Sequence, residues 1–144
     1  MAFFGKTHSQ KLEKIQERAL KIIYRDYNSS YSELLDRSEL PTLLIARLRI
    51  LLCEVFKSVK GLNPKYISDM FVKKELQYDF RNCTKLFQLK TRTTTYGLRS
   101  ITYTGAKLWN DLSPVLSDDT DLDDFKIYLN ILHDDSLDPN FNYV

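Results

Sequence analysis

The stretch from Thr42 to Lys60 constrains the fold of this chain more than any other. It carries Leu43, Leu44, Ile45, Leu48, Ile50, Leu51, Leu52, Val55, Phe56 and Val59. At roughly 100° per residue these side chains occupy most of a helix circumference, and a helix that is apolar nearly all round has to be enclosed by others. The spacing therefore predicts a central helix over 42–60, with Gly61 placed to end it as a left-handed C-cap. Arg47 and Arg49 interrupt the apolar run, which is far too short to span a membrane.

Other elements are predicted around it. Residues 9–26 read as a helix with Ser9 as N-cap and an apolar face made by Leu12, Ile15, Ala19, Ile22 and Ile23. Glu13 and Glu17 lie towards its start, as the helix dipole prefers. A short helix from Tyr31 to Asp36, capped by Ser29 or Ser30, precedes Pro41, and Asn63-Pro64 opens another through Met70. After Glu75 the pattern alternates, so Lys85 to Lys90 and Arg99 to Thr104 read as the arms of a β-hairpin turning at Gly97. Gly105 then opens a short helix from Ala106 to Asp111, and a last one, about 121–132, buries Leu122, Phe125, Leu129 and Leu132.

Charge is distributed unevenly. Residues 1–100 hold 19 Lys and Arg against 10 Asp and Glu, and residues 101–144 hold 2 against 9, so a net charge of +2 conceals a basic body and an acidic end. Between Asp79 and Asp111 there is no carboxylate at all, but Arg81, Lys85, Lys90, Arg92, Arg99 and Lys107 alternate with hydroxyls and with Phe80, Phe87, Tyr96, Tyr103 and Trp109. Phosphates accept from Lys, Arg and hydroxyl donors, and unstacked bases lie on aromatic faces, so the window fits a polyanion. It fits equally a hairpin that simply packs, since strands favour Thr, Tyr and Phe.

A second basic feature is more regular. Lys11, Lys14, Arg18, Lys21 and Arg25 step by three, four, three and four residues. They fall within an arc of roughly 80° beside the apolar face, a stripe able to follow a phosphate backbone. The competing reading is a solvated face whose long stems lie along the edge of the core. Only Glu17 is well spaced to offset the stripe, towards Lys21, whereas Lys14/Arg18 and Lys21/Arg25 are like-charged neighbours.

Several chemistries have no residues to carry them. Asp119-x-Asp121-x-Asp123 begins like a calcium loop, but Asp124 stands where Gly is needed and Asn130 where a bidentate Glu is needed. Helix capping by Thr120, with Asp123 reaching back, explains the acids more cheaply. His8 and His133 have no second ligand at zinc spacing, the four glycines are not clustered into a phosphate loop, and no catalytic triad is legible. No enzyme, cofactor, metal or small-molecule substrate is expected. Cys53 and Cys83 make no CxxC pair, and Cys53 in an apolar helix reads as a free thiol, which fits a soluble intracellular protein with no membrane segment.

The segments also resemble a known family. Leu12 to Tyr24, with Tyr31-Ser32-Glu33-Leu34-Leu35, Glu54-Val55-Phe56-Lys57 and Gly61-Leu62-Asn63-Pro64, is similar to a stretch of non-LTR (LINE-type, jockey-like) retrotransposon reverse transcriptases. Arg81-Asn82, Thr93 to Ser100, Gly105 to Leu112 and Phe125-Lys126 continue the resemblance in the same order over about residues 6–127. It implies the region C-terminal to the polymerase palm, where a helical thumb grips the template–primer duplex. On that reading 9–70 is thumb-like, 76–132 is the post-thumb segment, and Trp109 and Tyr103 serve packing. The palm's aromatic-x-Asp-Asp motif is absent, because Leu116, Asp121 and Leu132 stand two before the three Asp pairs. Ser113-Pro114 replaces the family's common Leu-Pro, and no Cys/His knuckle follows.

The expectation is thus a mainly α domain over 1–132, a helical bundle around the 42–60 helix with one β-hairpin at about 85–104, short C-terminal helices and a frayed 133–144. Its implied role is non-catalytic: a stranded 3′ piece of a reverse transcriptase reading frame that contacted DNA or RNA backbone without reading sequence. The contact residues would be Lys11, Lys14, Arg18, Lys21 and Arg25, with Lys85, Lys90, Arg92 and Arg99 as further candidates. The rival expectation is a module that docks on the polymerase palm or another protein and binds no nucleic acid.

Overall fold

The computed structural model describes residues 6–74, 85–93, 97–98, 100–112 and 120–131. Among these residues the fold is mainly helical, with α1 (Lys6–Tyr24), α2 (Tyr31–Ser38), α3 (Leu43–Val59), α4 (Lys65–Ser68), α5 (Ile101–Leu112) and α6 (Leu122–Ile131). As its composition requires, α3 is the centre. Leu48, Leu52, Val55 and Phe56 are fully enclosed, and α1, α4, α5 and α6 all pack on it.

The main core lies between α3, α5 and α6. Phe56 stacks on Phe125 with ring centroids 4.6 Å apart, and Trp109 tilts against both at 6.3 and 6.2 Å. Trp109 is buried and Tyr103 half-buried, so Trp109 is a packing residue. A smaller core joins α1 to α2 through Leu20, Leu34 and Leu35, with Tyr24 and Tyr31 against it.

The helix ends are specified locally. Thr42 caps α3 by accepting from Ile45 N, and Ser30, rather than Ser29, caps α2 in a reciprocal capping box with Glu33. Asp121, not Thr120, takes the cap position of α6, since its carbonyl accepts from Phe125 N; Asp123 pairs with Lys126 at 2.8 Å. Three helices end in the same doubly hydrogen-bonded turn. Asp26 N donates to Lys21 O, Leu40 N to Leu35 O, and Leu62 N to Lys57 O, around left-handed Arg25, Glu39 and Gly61. Only the glycine was visible as a cap in the sequence, because Arg and Glu adopt that conformation under tertiary constraint rather than by preference.

Three expectations need correction. First, α1 begins at Lys6, so Ser9 is not a cap; it lies inside the helix, buried, where Arg47 Nη2 donates to its Oγ at 3.3 Å. Second, α1 is rotated relative to its apolar face. Leu20 is buried and Glu13, Gln16 and Tyr24 are half-buried against α2 and α3, whereas Ile15, Ile22 and Ile23 are 62%, 64% and 69% exposed. Polar groups reinforce the contact: Glu13 accepts from Leu43 N and Leu44 N at the start of α3 and from the Tyr31 hydroxyl.

Third, the predicted hairpin does not form. Residues Ile101 to Thr104 of its second arm are part of α5, which starts at Ile101 and runs straight through Gly105. Thr104, Gly105, Leu108, Trp109 and Leu112 form the buried face of that helix, a period that overrides the strand preference of Ile101-Thr102-Tyr103-Thr104. Gly105 is needed for closeness rather than as a helix start. A Cβ there would stand 2.9 Å from both Val55 Cγ2 and Phe71 Cε1. The first arm survives as a short antiparallel bridge to a different partner, Lys73 opposite Leu86. On the other side of Leu86, the Asn110 carboxamide accepts from its N–H at 2.8 Å and donates to its carbonyl at 3.0 Å, as a neighbouring strand would.

Candidate nucleic-acid interface

The stripe on α1 stands on the helix's outer side. Lys11, Lys14 and Arg18 are exposed along it, and Arg25 is exposed one residue beyond the helix end. Lys21 differs from these: it is half-buried and its ammonium lies 2.7 Å from Glu17 Oε1. The i, i+4 spacing that offset one charge in the sequence therefore does so in space. Among the described residues, no carboxylate stands within ion-pair distance of the other four cations.

Asp26, next to Arg25, is occupied elsewhere. Its carboxylate accepts from the hydroxyl and amide of Ser29 and the amide of Asn28, bonds that hold its pKa below the usual carboxylate value. Arg37 approaches it at 4.0 Å while lying over the Tyr24 ring at 4.7 Å. The stripe consequently presents net positive charge, bordered on one side by the exposed row of Ile22, Ile15 and Ala19.

The other candidates belong to a different part of the fold. Lys85, Lys90 and Arg92 are exposed on the segment anchored by Leu86 to Asn110 and Lys73, whereas α1 packs on α2 and α3. Arg99 lies outside the described residues, as do Arg81, Cys83, Tyr96, His133 and the pairs Asp118-Asp119 and Asp134-Asp135. The bridge adds two cations that the sequence did not single out, Lys73 and Lys74, both exposed. Their only sequence signal was adjacency, since pairing with residues a dozen positions on is a long-range event.

Little else in the described residues is arranged for chemistry. No group of three His, Cys, Asp or Glu side chains among them could hold a metal ion, and none of their helices is long and apolar enough to cross a membrane. Cys53 is a half-buried free thiol, and burial pushes its pKa upwards, away from nucleophilic reactivity. No family model, curated protein or solved structure matches the chain.

Proposed function

We propose that this chain is a non-catalytic module that contacts nucleic-acid backbone through the outer face of α1, derived from the thumb and post-thumb region of a non-LTR retrotransposon reverse transcriptase. The family part rests on the order and spacing of the segments from Leu12 to Lys126. The contact part rests on one observation: Lys11, Lys14, Arg18 and Arg25 are exposed together without a carboxylate partner among the described residues. In this reading the cations meet phosphates, so binding is electrostatic and indifferent to sequence.

A second reading is favoured by the exposed isoleucines. An apolar row of Ile15, Ala19, Ile22 and Ile23 beside a basic stripe is also what a protein-docking face looks like, with the polymerase palm as the natural partner in a parent protein.

Duplex DNA binding by the K14E/R18E and I15S/I22S variants separates the two. Under the first reading the charge reversal lowers affinity by about tenfold or more, the serines leave it unchanged, and both proteins keep the parent melting temperature. Absence of duplex binding by the parent chain at low salt rejects that reading and leaves the docking face.

A further inference from the structure

We propose that the outer face of the short antiparallel bridge, built from Val72, Lys74, Lys85 and Phe87, binds single-stranded nucleic acid. This deepens the nucleic-acid reading by naming a strand type, yet it uses residues remote in sequence from α1, so each can fail while the other holds.

Register fixes which side chains share the face. Lys74 N donates to Lys85 O at 2.8 Å and Phe87 N donates to Val72 O at 2.7 Å, on either side of the Lys73–Leu86 pair. Residues directly opposed in an antiparallel pair lie on one face, and successive residues alternate. Leu86 points into the core, 1% exposed, so Val72, Lys74, Lys85 and Phe87 all point the other way. Their exposure agrees: Val72 is 59% and Phe87 54% exposed, and both lysines are exposed.

This face works against its own pairing. Lys74 and Lys85 are like charges set opposite each other, an arrangement that weakens a strand pair. Among the described residues neither has a carboxylate within ion-pair distance. An anion held between the two ammonium groups removes the repulsion. Beside them the Phe87 ring stands largely in water, where it contributes little to the core. A phosphate between the lysines with a base on the ring satisfies both features, and only an unpaired strand offers its base faces. A duplex would supply the phosphate and hide the bases.

The test uses the full chain and fluorescence anisotropy with an oligothymidylate of about 20 nucleotides, compared with an abasic strand of equal length. The oligothymidylate is expected to bind more tightly than the abasic strand. Phe87→Ala is expected to lower its affinity about tenfold and to leave the abasic strand unaffected. Lys74→Gln with Lys85→Gln is expected to flatten the log–log salt slope by about 0.7, the share of the one phosphate held between them, and to raise the melting temperature slightly. The K14E/R18E variant is expected to keep the preference for bases, which separates this site from α1. Equal binding of the thymidylate and abasic strands overturns the proposal. So does polyglutamate displacing the strand as well as unlabelled oligothymidylate does. If Phe87→Ala lowers the melting temperature, the salt slope of the lysine variant decides: an unchanged slope overturns the site.

Discussion

Glu13 and Tyr31 join three helices at one point. The Tyr31 hydroxyl donates to Glu13 Oε2 across 2.6 Å, and the two carboxylate oxygens also receive Leu43 N at 3.3 Å and Leu44 N at 3.0 Å. A carboxylate borne by α1 thus serves the N-terminus of α3, where free N–H groups and the helix dipole favour an anion. It fastens the α1–α2 pair to the central helix, as the bond from Arg47 Nη2 to Ser9 Oγ does nearer the start of α1. Glu13→Ala is expected to destabilise by about 2 kcal/mol and Tyr31→Phe by about 1 kcal/mol. A double-mutant cycle by urea denaturation is expected to give a coupling near 1 kcal/mol; additive losses would mean that the two groups do not interact.

The same pair implies a weakness at alkaline pH. Burial, and then the bond to Glu13, raise the Tyr31 phenol well above its ordinary value of 10.0. The folded chain therefore holds this proton more tightly than the unfolded chain does. The contribution is complete below about pH 10 and declines as pH rises beyond it. The chain has nine tyrosines, so the informative comparison is with Tyr31→Phe. The parent is expected to lose stability more steeply than the variant above pH 10, and parallel curves would remove Tyr31 as the cause.

The rotation of α1 has an equally direct consequence. Leu20 is 4% exposed whereas Ile22 is 64% exposed, although the sequence pattern places Ile22 on the helix's apolar face. Leu20→Ala is expected to cost about 2 to 4 kcal/mol, as a buried truncation does. Ile22→Ser is expected to stay within about 0.5 kcal/mol of the parent. Thermal melts showing similar large losses for both would restore the inward-facing isoleucines.

Gly105 tests the α3–α5 contact. Alanine is the better helix former by about 1 kcal/mol, which alone would stabilise α5. The new methyl, however, meets the Val55 methyl and Phe71 ring at 2.9 Å, and crowding a packed core costs about 1 to 3 kcal/mol. Gly105→Ala is therefore expected to be net destabilising by about 1 kcal/mol in a denaturant titration; a stabilised variant would mean the helices are free to move apart.

How far the sequence could be read depended on whether a signal was local. The 42–60 helix was legible because ten apolar residues cover most of its circumference, and it appears as Leu43–Val59 with Thr42 as its cap, although Ile50 is left exposed. The final helix was legible from one apolar stripe at helical spacing, with Phe125 and Leu129 buried. The face of α1 was not, because apolar periodicity marks the side that could be buried, whereas Glu13, Gln16 and Tyr31 determine the side that is. The start of α5 was hidden by β-branched and aromatic residues, although Ile101, Thr104, Gly105, Leu108, Trp109 and Leu112 already carried a helical period. For the candidate interface, the stripe's spacing was visible from the outset. The neutralisation of Lys21 was foreshadowed by Glu17, and the pairing of Lys74 with Lys85 was beyond reach because it joins segments distant in the chain.

The central claim is that four cations on α1 meet phosphates, and the salt dependence of duplex binding tests it most directly. With Lys21 held by Glu17, the proposed contributors are Lys11, Lys14, Arg18 and Arg25. Four neutralised phosphates give a log–log slope of about −3.6 on duplex DNA, and K14Q/R18Q is expected to reduce it to about −1.8. A slope near zero, or one that the two substitutions leave unchanged, would contradict the assignment of α1 as the nucleic-acid contact.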